Sequence, residues 1–486
     1  MRIYSEQFSL LLEAISDALD IPESYYEQAV ERYKSIGDWL ERDGSKVANY
    51  RPEIYPQGSF LLGTVTKPVS DAQEYDLDLV SELNLQKNLI SQAYLKNLVG
   101  EEIKSYAYKH NMNSPAEEGR RCWTLHYADD VQFHMDILPA IPDSEQFKQL
   151  LESRGYSSLN WSNLAIAITD RTHPNYRQIH PDWPCSNPRG YAEWFRSRMQ
   201  TQFDAIRKSL MERQIEEVPE YKVKTPLQRS VQILKRHRDI WFDKNQSAYD
   251  EKAKPISIII TTLAGHAYNN EVDLQQTLLK IAAQMPRHIE YDHNGEAIIS
   301  NPVNPLENFA DKWQEHPIRK TCFMNWLKQA QFDLTQALEL QDVQSVGDSL
   351  RYCLGDRIVN DGMRNFSEPR SRYAPTVAAN SLRTASQFHV SHRQEPKWQV
   401  IPSGQVTVTC TASRKGFRTR QIKHDSVPVP KHWSLRFEAQ TNVLIPYEVY
   451  WQVVNTGEEA LKANGLRGGF YKGTAETDGY IRKEET

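Results

Sequence analysis

Residues 74–80, EYDLDLV, alternate polar and apolar side chains, and the polar ones are acidic. A period of two is a strand. In a strand Asp76 and Asp78 point to one face, while Tyr75, Leu77 and Leu79 point to the other. The apolar face needs a core to cover it. The carboxylates are left on the opposite face, with Cα atoms roughly 6.5–7 Å apart. A second stretch, CWTLHYADDVQFHMDILPAI at 122–141, repeats the pattern. It reads as a hairpin of two alternating runs joined by Ala128-Asp129-Asp130. In its second run Val131, Phe133, Met135 and Ile137 make the apolar face, and Gln132, His134, Asp136 and Leu138 the other. Asp136 lies between apolar neighbours, where a carboxylate is costly unless paired or metal-bound. If the two strands are neighbours, three carboxylates converge. Asp oxygens with water and phosphate form the shell that Mg²⁺ prefers, and this spacing reaches two cations about 3.5–4 Å apart. Taken singly, each Asp is equally an aspartate in water on a strand surface.

Upstream stands YPQGSFLLGTVTKP, residues 55–68. A Gly-Ser turn entering FLLGTVT offers backbone N–H groups and a small hydroxyl at a helix start, which is a seat for phosphate. Gly58 permits close backbone approach, and the Ser59 hydroxyl can donate to a phosphate oxygen. A plain Ser N-cap explains the same residues.

With 486 residues the chain is too long for one simple core, so two or three domains are expected. Hydrophobic residues make up 39% and charged ones 25%, with a mean hydropathy of −0.66. No apolar run approaches the roughly 20 residues of a membrane span. The first residues, MRIYSEQFSLLLEAISDALD, carry Glu13 and Asp17 within their apolar stretch and are not read as a signal peptide. The five cysteines include no C-x-x-C pair, which argues against a zinc cage or disulfide framework and for a reducing cytoplasm. The net charge of −5 argues against strong nonspecific nucleic-acid binding.

Two amphipathic helices open the chain. One carries Phe8, Leu11, Leu12, Ile15 and Leu19; the other carries Tyr26, Ala29, Val30, Tyr33, Ile36 and Leu40, and stops at Asp43-Gly44. After the hairpin, helices dominate. SNPRGYAEWFRSRM starts with a cap signal, and TPLQRSVQILKRHRDIWF has Pro226 at a helix start. KPISIIITTLAGHAY is ambiguous, since its β-branched run favours a strand. Asn294-Gly295 marks a small hairpin, and residues 306–355 read as helical. Residues 366–395 read as a polar linker. Beyond it QVTVTCTAS, HWSLRFEAQT and YEVYWQVVNT alternate at period two, as in a small β domain.

QGS at 57–59, DLD at 76–78 and MDILPAI at 135–141 together resemble the polymerase-β-like nucleotidyltransferases. Within them the chain is most similar to the bacterial CD-NTases, relatives of cyclic GMP-AMP synthase and oligoadenylate synthase that make cyclic oligonucleotide signals in anti-phage defence. The resemblance covers roughly residues 30–360. It implies an α+β fold: a mixed sheet flanked by helices with the N-terminal helices at 1–215, and a helical half closing the cleft at 216–365. At 396–486 follows a small β-sandwich-like domain. This resembles the family's adenylyl/guanylyl-and-SMODS-type sensor, most of all at LRGGFYKG (466–473). Such sensors usually run further than GYIRKEET, so a truncated final strand is the expectation. The family's helix lysine and the serine of its KPxS turn match Lys235 and Ser257, and the resemblance reads SIIITTL as helix.

The resemblance implies two-metal nucleotidyl transfer. Asp76, Asp78 and Asp136 would hold two Mg²⁺ ions, with Mn²⁺ able to substitute. Gln57, Gly58, Ser59, Lys235 and Ser257 would hold the triphosphate of an NTP, ATP among the substrates. A regulatory ligand at the C-terminal domain and a downstream effector that senses the product are the partners it implies. A linear-oligonucleotide, RNA-tailing or protein-modifying transferase on the same core, and a non-catalytic nucleotide-sensing or interaction protein, are the alternatives.

Overall fold

The computed structural model describes residues 2–70, 74–127, 133–156, 160–213, 220–340 and 342–367, together with six strands beyond residue 405. The chain forms two units, Met1–Asp204 with Lys224–Pro369, and Ala205–Val223 with Arg370–Thr486.

The first unit opens with α1 (Arg2–Leu19) and α2 (Glu23–Glu41). Next come β1 (Glu53–Pro56), α3 (Gly58–Leu61), β2 (Tyr75–Glu82), α4 (Gln92–Lys109), β3 (Glu117–Glu118), β4 (Trp123–Tyr127) and β5 (Phe133–Pro142). Then follow α5 (Ser144–Ser153), β6 (Ile166–Ile168), β7 (Cys185–Ser186) and α6 (Pro188–Arg213), whose residues from Ala205 onward belong to the second unit. The sheet runs β1-β2-β5-β4-β3, with β6 beside the end of β5 and β7 beside β6. Only the β2–β5 pair is parallel; the others in this sheet are antiparallel. The sheet is thus mixed, and helices flank it. The hairpin read at 122–141 is present, its register pairing Tyr127 with Phe133. The turn at 128–130 and Val131 and Gln132 lie outside the described residues.

The apolar faces of these strands meet α2 and α4. Leu77, Leu79, Phe133, Met135 and Ile137 share one core with Ala29, Ile36 and Leu40 of α2 and Leu95, Val99 and Ile103 of α4. This leaves the opposite face for the polar positions, as the period of two requires.

The helical half holds α7 (Pro226–Lys244), α8 (Ser257–Ala267), α9 (Leu274–Gln284), the short strands β8 (Glu290–Tyr291), β9 (Ala297–Ile298), β10 (Ser300–Asn301) and β11 (Asn304–Asn308), then α10 (Asp311–Glu315), α11 (Pro317–Glu339), α12 (Val343–Leu354) and α13 (Asp356–Ser367). α7 starts with a capping box, in which Thr225 and Gln228 satisfy each other's backbone N–H, and Pro226 follows at the first helical position. SIIITTL is helical. Burial on every side of Ile259–Gly265 outweighs its β propensity. β8 and β9 form the hairpin marked by Asn294-Gly295. Residues 306–308, expected to be helical, instead end β11. Asn308 Oδ1 accepts from the N–H groups of Ile299 and Ala310, and its Nδ2 donates to the Ala297 carbonyl, which holds the segment extended.

α1 does not join the sheet. Phe8, Leu11, Leu12, Ile15 and Leu19 lie in the helical core with Leu227 and Val231 of α7, Leu278 and Ile281 of α9, and Ile358 and Val359 of α13.

In the second unit β12 (Val406–Ser413), β13 (Arg420–Ile422), β14 (Ser434–Thr441) and β17 (Ile481–Glu485) form an antiparallel sheet in the order β13-β12-β14-β17. β15 (Val449–Gln452) and β16 (Phe470–Gly473) pair with each other. Apart from Phe366 and Ser367 at the end of α13, the linker read at 366–395 lies outside the described residues.

Candidate active site

The parallel register of β2 and β5 sets Asp78 opposite Asp136 and Asp76 opposite His134. One oxygen from each of Asp76, Asp78 and Asp136 lies within 4.8 Å of the other two. The three residues are exposed, half-buried and half-buried in that order. The convergence expected of neighbouring strands is therefore present.

Their electrostatic states differ. Burial, then the charges of Asp76 and Asp136, push Asp78 up to about 7. Desolvation and Asp136 raise Asp76 as well. Burial also works against Asp136, but hydrogen bonds outweigh it and hold that carboxyl below its usual range. His134 Nε2 stands 3.2 Å from Asp136 Oδ1, and Thr124 Oγ1 donates to the same oxygen at 2.5 Å. Thr124 is the cross-strand partner of Asp136 on β4. Sequence reasoning missed this support; counting both strands outward from the hairpin would find it. Two carboxylates resisting ionisation beside a third that is ionised form a donor set that fits a divalent metal ion, because a cation offsets both the burial and the mutual repulsion that raise them.

The QGS turn is tied to the same strand. Gln57 N–H donates to the Asp78 carbonyl at 2.8 Å. Gly58 has φ +60°, and a Cβ there would lie 2.5 Å from Asp78 Oδ2. Only glycine brings its backbone this close at this φ. Ser59 follows, half-buried in the single turn of α3, and its carbonyl accepts from Thr64 N–H at 2.9 Å.

Lys235 is buried on α7, and its Nζ donates to the Thr64 carbonyl at 2.9 Å. Burial and then Arg238 lower it to about 8, against the pull of Asp239, Asp76 and Asp78. Ser257 is the first residue of α8, and Ile256 is its N-cap. Its Oγ accepts from Arg238 Nη1 at 2.8 Å, and Lys254 pairs with Asp239 at 2.7 Å. The carboxylates and the QGS turn thus form one cluster, with Lys235 behind the segment that follows the turn. Ser257 belongs to a second group around Arg238.

Two family models match. Residues 52–139 match the nucleotidyltransferase domain of the cyclic GMP-AMP synthase DncV-like family, and residues 388–486 match the adenylyl/guanylyl and SMODS C-terminal sensor domain. A c-di-GMP synthase of Roseivirga ehrenbergii is 31% identical over 318 residues, covering 65% of this chain and 76% of the relative. The cyclic dinucleotide synthase CdnG of Bradyrhizobium diazoefficiens is 25% identical over 405 residues, 79% of this chain and 89% of that one. The solved structure of that CD-NTase in complex with GTP superposes with a TM-score of 0.57 at 23% identity, covering 74% of this chain and 99% of that one. At that identity the likeness establishes the fold.

Proposed function

Because this chain belongs to the CD-NTase family and is a nucleotidyltransferase of the cyclic-oligonucleotide class, we propose that it joins two nucleoside triphosphates, GTP at least one of them, into a cyclic dinucleotide. The carrying observation is the Asp76–Asp78–Asp136 cluster placed against Gly58. The choice of guanine is supported by the relative named as a c-di-GMP synthase and by the relative solved with GTP.

In this reading Asp76, Asp78 and Asp136 hold two Mg²⁺ ions, or Mn²⁺ in their place. Held by these carboxylates, such ions would lower the pKa of the attacking ribose hydroxyl and offset charge on the phosphate oxygens. Thr124 and His134 fix the orientation of Asp136. Gly58 leaves room for the Asp78 carboxylate, and the Ser59 hydroxyl would donate to a phosphate oxygen. Lys235, as an ammonium, and Ser257 hold the rest of the triphosphate. The ribose hydroxyl of one nucleotide attacks the α-phosphate of the other, and pyrophosphate leaves. A second transfer within the linear intermediate closes the ring. Positioning and charge supply most of the rate.

The product then acts as a signal for a separate effector in anti-phage defence, with the C-terminal domain as the regulatory input. Five free cysteines fit the reducing cytoplasm this requires. Among the described residues no helix is long and apolar enough to cross a membrane.

The test is incubation of the purified protein with four labelled ribonucleoside triphosphates and Mg²⁺ or Mn²⁺, followed by phosphatase and mass spectrometry. The Asp76→Asn/Asp78→Asn variant runs alongside. A phosphatase-resistant guanine-containing dimer, absent from the variant, is expected. A phosphatase-sensitive linear product, or synthesis that survives in the variant, would overturn the reading.

A further inference from the structure

The same sheet face carries a second row of metal-ligating side chains. Moving two residues along each strand from Asp76, Asp136 and Thr124 leads to Glu74, His134 and His126. The register pairs His126 with His134 across β4 and β5. One ligand atom from each of Glu74, His126 and His134 lies within 4.8 Å of the other two. His126 Nδ1 is 3.3 Å from Glu74 Oε2, and the His126 and His134 rings lie tilted to each other with centroids 4.9 Å apart. The His126, Glu74 and His134 side chains are 26%, 33% and 37% exposed.

We propose that Glu74, His126 and His134 form a site for a borderline divalent transition ion of the Zn²⁺, Co²⁺ or Ni²⁺ class, separate from the carboxylate cluster. Two imidazoles and one carboxylate are the donors such ions select, whereas Mg²⁺ prefers oxygen alone. Ligands around a tetrahedral zinc are about 3.3 Å apart. The Glu74–His126 distance already meets this, and His134 offers a ring nitrogen within 4.8 Å of both. The Glu74–His126 contact alone leaves the second imidazole, which the register sets opposite His126, without a role. Paired strands β4 and β5 hold His126 and His134, and Glu74 stands immediately before β2, so the site rests largely on regular structure. His134 belongs to both rows, since its Nε2 faces Asp136. An ion in the second row therefore draws on the group that steadies the first.

Co²⁺ reports on this directly through its visible d–d absorption. The full-length Asp76→Asn/Asp78→Asn protein, titrated with Co²⁺, should bind one equivalent with a visible band and no thiolate charge-transfer band. Adding Glu74→Gln, or His126→Gln, should weaken that binding about 100-fold, while Cys353→Ser should leave it unchanged. The Cys353 control matters because His237, Asp333 and Cys353 form another group able to hold an ion. Glu74 is exposed and outside the core, so its variant keeps the test valid if a His126 variant misfolds. Absence of the band, its persistence without Glu74, or its loss with Cys353 would each overturn the proposal.

Discussion

Replacing Gly58 by alanine separates two effects that the structure allows to be sized. The first is the backbone. At φ +60° a β-carbon costs about 1–2 kcal/mol. The second is a collision. The new Cβ would lie 2.5 Å from Asp78 Oδ2, where ordinary contact begins at 3.4 Å, so the carboxylate or the turn must shift by about 0.9 Å. Overpacking of this kind typically costs a further 1–3 kcal/mol. A shift near 1 Å among positioned groups costs on the order of 100-fold in rate. Gly44→Ala is the matched control. Its φ is +84°, and nothing lies within 4 Å of its Cβ position. The assay is pyrophosphate release at saturating nucleotide, with thermal melts of both variants. Gly58→Ala should lose roughly two orders of magnitude in turnover, and Gly44→Ala should lose stability alone. Turnover of Gly58→Ala within threefold of the parent, or an equal loss in Gly44→Ala, would refute the reasoning.

Asp78 rises from 3.8 to about 7 on folding, so the metal-free folded state binds more protons than the unfolded chain across that window. Stability in EDTA should fall as pH rises from about 4 to 7, and the slope should flatten in Asp78→Asn; an unchanged slope in urea midpoints would contradict this. Mg²⁺ should raise the melting temperature at pH 8 in the parent and not in Asp78→Asn. Lys235, lowered to about 8, loses its charge above that pH, so kcat/KM for nucleotide should decline there, and Lys235→Met should lack that limb. Ser257→Ala removes one hydrogen-bonding hydroxyl worth about 1 kcal/mol, so KM should rise roughly fivefold with kcat nearly constant in steady-state kinetics.

The period-two strands were legible because Leu77, Leu79, Phe133, Met135 and Ile137 all needed cover on one face. Whether Asp136 met the other two aspartates depended on β2 lying beside β5. That parallel pairing spans more than fifty residues and leaves no local mark. The same holds for Thr124 and for the Glu74–His126–His134 row, which follow from register rather than from any single segment. Propensity misled at SIIITTL, where burial on all sides favours helix, and patterning misled at 306–308, where Asn308 side-chain bonds impose an extended path. Lys235 could be named only through the family resemblance, and its burial against the Thr64 carbonyl could not be read from sequence.

The opening helices look alike as sequences, yet they serve different cores. α1 packs with α7, α9 and α13, while α2 packs beneath the sheet. The joint between them is pinned: Lys67 N–H donates to the Leu19 carbonyl, and Asp20 accepts from Arg229 and Gln232. On a translating ribosome α1 emerges first, and the residues of α13 it must meet come last in that unit. At about 5–20 residues per second, some tens of seconds separate the two. α7 and α9 emerge earlier and can cover part of the apolar stripe of α1, but until α13 follows the helical core is incomplete. Closing the helical core around α1 is therefore among the last steps in assembling this unit, and a chain ended before α13 would leave Ile358 and Val359 missing from that core.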